Sequence, residues 1–228
     1  MTFLELVQRA AKQAGHGTLN IQTVANQTRK AGMFVDWVAE AWIQLQQMQP
    51  WSFMRTSTTI PIVAGTRVYA MTDLSITNLK EWCKSSDAAA YLTLKIGDNY
   101  TRVRELERQD FIDRFERGAI ETRQPAYFCM TENYEIALDA IPIADGTLTG
   151  YYWRTASTLV NDDDEPGMNE DWHNAIVGLA LKEYAEYDEA PSVMTKGRRI
   201  FASAYERMCE DALPEFKISA SPMAWGRR

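Results

Sequence analysis

The sequence predicts an α+β fold: a helical bundle from the N- and C-terminal helices, with an inserted β-rich domain and an extended C-terminal tail. Apolar residues recur at helical spacing near both ends of the chain and alternate with polar residues in between. With 46% hydrophobic and 24% charged residues, the 228-residue chain has the composition of a globular protein that buries a core. We expect a discontinuous bundle of residues 1–52 and 168–215, an insertion of residues 53–160 and an arm of residues 216–228.

The first predicted helix starts at a capping box. Thr2 and Glu5 have the spacing at which each side chain bonds the backbone N–H of the other residue. The Gly-His-Gly sequence at residues 15–17 then ends the helix. Its buried face is predicted to contain Phe3, Val7, Ala10, Ala11 and Ala14.

A longer helix is predicted from about Gly32 to Gln49, and Pro50 ends it. Apolar residues mark two of its faces, which is typical of a helix that packs on two neighbours. The first face contains Val35, Val38, Trp42, Leu45 and Met48, and the second contains Phe34, Trp37 and Ala41.

The middle of the chain alternates in the manner of β-strands. The stretch TSTTIPIVAGTRVYAM predicts a hairpin of two strands around a turn at Ala64-Gly65, and YLTLKIG places Leu92, Leu94 and Ile96 on one side of a strand. Further strands are predicted in TRVREL, PAYFCM, YEIALDAIP and GTLTGYYWR, with a short helix in ERQDFIDRFERG.

Helical spacing returns after an acidic stretch. Pro191 is predicted to close the first of two C-terminal helices, and Pro214 to end the second. The predicted faces are Trp172, Ile176, Leu179, Ala180 and Tyr187 in the first helix, and Phe201, Tyr205, Met208 and Ala212 in the second. We expect Trp42 and Trp172 to be largely buried.

The formal net charge of −7 argues against DNA affinity spread over the whole surface, because binding nucleic acid needs a positive field. Two tight basic pairs, Arg198-Arg199 and Arg227-Arg228, are expected to be solvated. The net charge does not exclude a local basic patch.

Other bulk features favour a protein folded in a reducing cytoplasm without a membrane segment. The three cysteines are scattered and form no CxxC motif. The N-terminal sequence lacks the basic-then-apolar order of a signal peptide. The apolar run from Ala175 to Leu181 is far too short to span a bilayer.

The acidic stretch from Asn161 to Asp171 raises the question of a metal site. An EF-hand loop beginning at Asp162 would place Gly167 correctly at its sixth position, but it would place His173 where the twelfth-position carboxylate belongs. A di-metal bundle would need a second Glu-x-x-His motif besides Glu170–His173, and the sequence has none. We therefore expect no metal and no cofactor.

The simpler interpretation makes this stretch a connecting loop that leads into a helix. Asn169 is a favourable N-cap, and Glu170 and Asp171 would oppose the positive end of the helix dipole. His173 is then a partly buried, hydrogen-bonded side chain rather than a catalytic base. Because GxSxG, HExxH and phosphate-loop patterns are also absent, the sequence predicts no catalytic residues and no enzyme.

Four stretches together resemble the head-to-tail adaptor, or head-completion and connector, proteins of tailed bacteriophages. They are the Trp-rich helix FVDWVAEAWIQLQQMQPWSFM, the Ala-Gly turn of IPIVAGTRVYAM, the strand series QPAYFCMTENYEIALDAIPIADGTLTGYYWR and the acidic loop with its helix LVNDDDEPGMNEDWHNAIVGLALKEYAEY. Each motif is weak alone, and their order over about residues 1–215 makes the resemblance specific.

The resemblance implies a structural virion protein in the neck of the particle, assembled in the host cytoplasm. Such a protein forms a dodecameric ring with itself, docks under the portal protein, contacts a tail, stopper or nozzle protein, and forms part of the channel through which double-stranded DNA leaves. The residues alone leave two other hypotheses open: a small cytosolic binding domain or regulator, and a metal-assisted hydrolase using Asp162–Glu165 and His173.

The C-terminal tail supplies the candidate binding residues. It follows Pro214, has no period, and carries apolar and cationic side chains of the kind that anchor protein contacts. Adaptors of the resembled family use C-terminal extensions to hold the portal. The predicted portal contacts are Met223, Trp225, Arg227 and Arg228.

Overall fold

The computed structural model describes residues 1–72, 74, 76–83 and 91–213. It contains both helices and a mixed sheet, so the predicted α+β class is confirmed. The chain separates into two compact units. Of the described residues, the first unit comprises Met1–Phe53 and residues 157–213, and the second comprises those within Met54–Ala156.

The secondary structure alternates between the two units in chain order. The helices are α1 (Phe3–Gln13), α2 (Arg29–Met48), α3 (Arg108–Phe111), α4 (His173–Tyr187) and α5 (Pro191–Ala212). The strands are β1 (Arg55–Ile62), β2 (Val68–Ala70), β3 (Leu79–Trp82), β4 (Tyr91–Ile96), β5 (Asn99–Glu105), β6 (Tyr127–Met130), β7 (Glu135–Leu138) and β8 (Gly146–Arg154).

The capping box at the start of α1 is confirmed. Thr2 Oγ1 accepts a hydrogen bond from the Glu5 backbone N–H at 3.3 Å, and the Glu5 carboxylate accepts one from Thr2 N–H at 3.0 Å. Each bond satisfies a backbone N–H that the helix itself cannot pair. All five side chains predicted for the apolar face are buried, and Gly15, at φ +92°, follows the last turn.

Helix α2 begins at Arg29, earlier than predicted, and its apolar face also differs in one residue. Trp42 and Leu45 are buried as expected, whereas Met48 is 38% exposed, so that prediction was wrong. The chain turns back after Pro50 and buries Trp51 instead. Trp51 Nε1 donates to the Leu45 carbonyl at 2.6 Å, so this indole covers the end of the helix where Met48 was expected to pack.

Helix α4 packs against α1, α2 and α5, and it is buried around most of its circumference. At Gly178 a Cβ would lie 2.6 Å from the backbone nitrogen of Phe201, so glycine is what allows α5 to approach this closely. Tyr187, predicted on the apolar face, is 58% exposed because the chain leaves the helix there. Pro191 does not close α4 but is the first residue of α5. Proline is tolerated there because the N–H that it lacks would have no acceptor within the helix.

The second unit is one eight-stranded sheet in the order β1-β8-β4-β5-β6-β7-β2, with β3 paired to β8. Only the β5–β6 pair is parallel among the described strands. Strand β8 organises the sheet, since β1 pairs along one edge while β4 and β3 share the other. Strand β3, sequence LKEW, was not predicted, because its pairing shifts at a bulge and breaks the alternation.

The predicted hairpin around Ala64-Gly65 is wrong, although both of its strands exist. Strand β1 pairs with β8 and β2 pairs with β7, at opposite ends of the strand order. The Tyr69 hydroxyl takes over part of the missing pairing: it accepts from Val63 N–H at 3.1 Å and donates to the Thr66 carbonyl at 2.8 Å. The short turn between β1 and β2 is therefore stabilised by hydrogen bonds to the Tyr69 hydroxyl rather than by pairing of the two strands.

Alternation of inward and outward residues is confirmed in the strands that build the core of the second unit. Leu92 and Leu94 are buried, and Ile96 is partly buried against them. The predicted short helix is α3, which continues into a π-helical turn over Ile112–Glu116. The other large apolar side chains of this core are Ile60, Ile62, Trp82, Val103, Phe128, Ile136, Leu138 and Leu148.

Trp42→Ala should lower the free energy of unfolding by about 3–5 kcal/mol, as truncation of a fully buried aromatic side chain does. Trp42 is 1% exposed and its ring stacks on Phe53 at 6.2 Å. Met48→Ala, on the exposed side of the same helix, is the matched control and should cost far less. Urea unfolding followed by circular dichroism measures both, and a loss below about 1 kcal/mol for Trp42→Ala would contradict its place in the core.

Candidate functional site

The acidic loop, defined as Asp162–Glu165, braces the start of α1. The backbone carbonyls of Asp162 and Asp164 accept hydrogen bonds from Leu4 N–H at 3.2 Å and Phe3 N–H at 2.8 Å. These are among the amides that a helix leaves unpaired at its N-terminus. The loop therefore completes the capping of a helix that is far away in sequence.

The Asp162 and Asp164 side chains hold the same region together. Asp162 Oδ1 accepts from Val24 N–H at 2.5 Å and from the Thr23 hydroxyl at 3.1 Å. Asp164 Oδ2 accepts from the backbone N–H groups of Val160 at 2.7 Å and Asn161 at 2.8 Å. These N–H donors, Asn161 first, lower the pKa of the Asp164 carboxyl.

The remaining carboxylates of the loop, Asp163 and Glu165, are exposed. Neither takes part in a salt bridge within the described part of the chain. Alternate residues of the loop thus have different roles: Asp162 and Asp164 bond the protein's own backbone, and Asp163 and Glu165 present their charge to the surroundings.

The geometry explains why this stretch lacks the form of a metal centre. Carboxylate oxygens that a cation would need are already bonded to backbone N–H groups at Asp162 and Asp164. Over residues 1–72, 74, 76–83 and 91–213, no group of three or more His, Cys, Asp or Glu side chains is placed to hold a metal ion. The hydrogen bonds of Asp162 and Asp164 therefore connect the loop to the protein's own backbone.

Asn169 caps the segment leading into α4, as predicted, but through a 3-10 turn. Its side chain accepts from the Asp171 backbone N–H at 3.1 Å, and the turn Glu170–Trp172 precedes the helix. Glu170 also pairs with the Met1 ammonium group at 3.2 Å. His173, the first residue of α4, is 1% exposed and thus more deeply buried than predicted.

His16 lies in a cluster that sequence spacing did not indicate. Its Nε2 is 3.0 Å from the Tyr184 hydroxyl, which donates to Asp188 Oδ2 at 2.5 Å, and Lys30 Nζ lies 3.3 Å from the same carboxylate. Burial and the neighbouring Asp188 carboxylate raise the pKa of Tyr184 to about 12. The cluster joins the turn after α1 to α2 and α4, and its groups pair with one another.

Strands β1, β8, β4 and β5 are adjacent and present a surface that the sequence analysis missed. We call the outward side chains of these four strands the cationic face; its charges are Arg55, Lys95, Arg102 and Arg104. Its cation–π pairs are Arg55 over Tyr151 at 4.2 Å, Arg102 over Tyr91 at 4.9 Å and Lys95 over Tyr100 at 5.5 Å. The alternation in YLTLKIG and TRVREL gave the signal, since polar positions between core residues must share one face.

The predicted portal contacts Met223, Trp225, Arg227 and Arg228 lie outside the described residues. Comparison with protein families nevertheless covers most of this tail. The family model described as SU10 adaptor protein matches residues 1–226. The chain belongs to the SU10 adaptor protein family. A search of curated proteins gives no match.

Family membership makes the chain a structural adaptor protein of a bacteriophage and a component of the virion. The resemblance stated from the sequence is confirmed at this level. Adaptors of phages are generally structural rather than enzymatic. None of the described helices has the length and apolarity needed to cross a lipid bilayer.

Asp162→Ala should lower the free energy of unfolding by about 1–3 kcal/mol, because it leaves the Val24 N–H without its acceptor. Asp163→Ala, in the same loop, is the control and should change stability by less than about 0.5 kcal/mol. Asp162→Asn retains an acceptor oxygen and should lie between them. Equal losses for the two alanine variants in urea unfolding would show that the loop does not brace the fold.

Folding stability should fall as the pH drops below about 6.5 because of His173. Burial lowers the pKa of His173, and the Met1 ammonium lowers it further. The unfolded chain therefore takes up a proton there before the folded chain does, so this contribution is full above that pH and is lost below it. His173→Gln should flatten the dependence in unfolding measurements between about pH 7.5 and pH 5.5; parallel profiles for the two proteins would refute this role.

Proposed function

We propose that this adaptor forms a ring in the virion neck, joins the portal protein to a tail, stopper or nozzle protein, and lines part of the DNA exit channel. The match to the SU10 adaptor family over residues 1–226 carries the proposal. The ring is dodecameric, as the family resemblance implies, and the protein reaches the virion neck after assembly in the host cytoplasm.

In this proposal the two ends of the chain form one helical bundle, made of residues 1–52 and 168–215, and residues 53–160 form an inserted domain. Contacts of α4 with α1, α2 and α5 support the bundle. Pairing of every described strand into one sheet supports the insertion as a separate domain. Residues 216–228 form an arm that extends from the bundle.

Charge supports a role as a conduit. The net charge of −7 disfavours adhesion of phosphate groups, so double-stranded DNA passes through the ring without specific binding. A strongly basic lining would instead hold DNA through counterion release and slow its exit.

The arm holds the portal through Met223, Trp225, Arg227 and Arg228. Aromatic and Arg side chains are the usual anchors of protein interfaces, and one anchor is worth about 2 kcal/mol or more. An arm that is free in the isolated subunit orders when it binds, so its loss should affect attachment rather than folding.

Deletion of residues 219–228 should leave the melting temperature of the isolated protein unchanged and weaken attachment to the portal. Trp225→Ala alone should raise the Kd for purified portal by on the order of thirtyfold, the equivalent of about 2 kcal/mol. Ser221→Ala in the same arm is the control. Native mass spectrometry with and without portal measures ring formation and binding; a full-length chain that neither forms rings nor binds portal would overturn the proposed function.

A further inference from the structure

Within the described part of the chain, the cations of the cationic face form no salt bridge. Arg55, Lys95, Arg102 and Arg104 are all exposed, and none is in a salt bridge within the described residues. Two acidic side chains flank the face. Glu81 on β3 is paired with Trp153 of β8 and thus lies on the same side of the sheet, and Asp98 lies in the turn between β4 and β5.

Three other arginines of this unit are arranged differently. Arg67 and Arg108 both contact Glu116, and Arg123 pairs with the buried carboxylate of Asp139 at 2.7 Å. Each of these three half-buried arginines therefore contacts a carboxylate of the same unit. On the cationic face Arg55, Lys95 and Arg102 instead lie over tyrosine rings. For Lys95 and Arg102 this arrangement leaves N–H donors that can bind a carboxylate or phosphate.

The acidic loop of the same chain carries exposed negative charges that complement the cationic face. Asp163 and Glu165 are exposed and outside any salt bridge of the described residues, and the loop that carries them is fixed to α1 by two backbone hydrogen bonds. A fixed loop loses little conformational freedom when it binds. In a ring, each copy meets its neighbours through two different surfaces, so one copy can supply cations and the next can supply carboxylates.

We propose that the cationic face of one copy binds the acidic loop, through Asp163 and Glu165, of the neighbouring copy in the ring. This inference rests on the proposed ring and names the contact that closes it. Each such interface pairs the cations of one copy with the carboxylates of the next. Duplex DNA on the cationic face would leave the carboxylates of the acidic loop unpaired, and its phosphates would be repelled by the net charge of −7. Tyr and Arg are also the residue types that dominate protein interfaces.

Charge reversal on each side tests the contact. Lys95→Glu/Arg102→Glu reverses two charges of the cationic face, on strands that are not paired with the strand of Glu81. Asp163→Lys/Glu165→Lys reverses the two outward charges of the acidic loop. In native mass spectrometry, each variant alone should give no ring species. The measurement is made with portal protein present if the wild-type protein alone is monomeric. An equimolar mixture of the two variants should regain rings with alternating subunits, and a chain carrying all four substitutions should form rings by itself.

Controls separate this contact from general damage. Arg198→Glu/Arg199→Glu reverses an exposed pair on α5 and should leave the rings intact. Lys95→Thr/Arg102→Thr removes the charges with a residue that strands accept readily, so it replaces the Glu variant if the latter has a lowered melting temperature.

The outcomes distinguish the contact from the proposed function. If wild-type rings form and the face variants form them equally well, the contact is wrong while the ring remains. If the face variants keep their rings but lose binding to a fluorescent DNA duplex, the face binds nucleic acid and the inference is overturned. If the wild type forms no ring even with portal, the proposed function fails first and this contact fails with it.

Discussion

The fold depends on fixing the chain at Ser157, the first residue after the β-rich second unit. Gln46, only 5% exposed in α2, does this with its carboxamide. Its Nε2 donates to the Ser157 carbonyl at 2.9 Å, and its Oε1 accepts from Ser157 N–H at 2.9 Å. Because the chain returns at a fixed point beside α2, the acidic loop that follows can reach the N-terminus of α1 and α4 can enter the centre of the helices.

The charged side chains of Asp139, the acidic loop and the cationic face form two groups. One group hydrogen-bonds the protein's own backbone, and the other faces outward. Asp162, Asp164 and Asp139 each accept backbone N–H groups, and their loss would leave amides unpaired. Asp163, Glu165 and the cations of the cationic face are exposed and form no salt bridge with the residues that the structure describes. For a protein whose family places it between other virion components, these outward charges are the part of the surface available to choose partners.

The regular elements were predictable because local spacing determines them. The capping box at Thr2, the buried Trp42 and the alternation through Leu92 and Leu94 follow from periods of 3.6 and 2.0 residues. Strand partners were not predictable, since the pairing of β1 with β8 depends on contacts about ninety residues apart along the chain. The roles of Asp162 and of the cationic face were missed for the same reason: each needs two distant segments to meet. The arm around Trp225 remains a prediction.

The ring that we propose between portal and tail can be observed in the particle itself. Cryo-electron microscopy of intact virions shows the position, symmetry and contacts of the chain together. The account predicts a twelvefold ring below the portal, with the C-terminal arm of each copy on the portal and the DNA channel through its centre. Density for the chain elsewhere in the particle, or a neck in which portal meets the tail without it, would contradict the account.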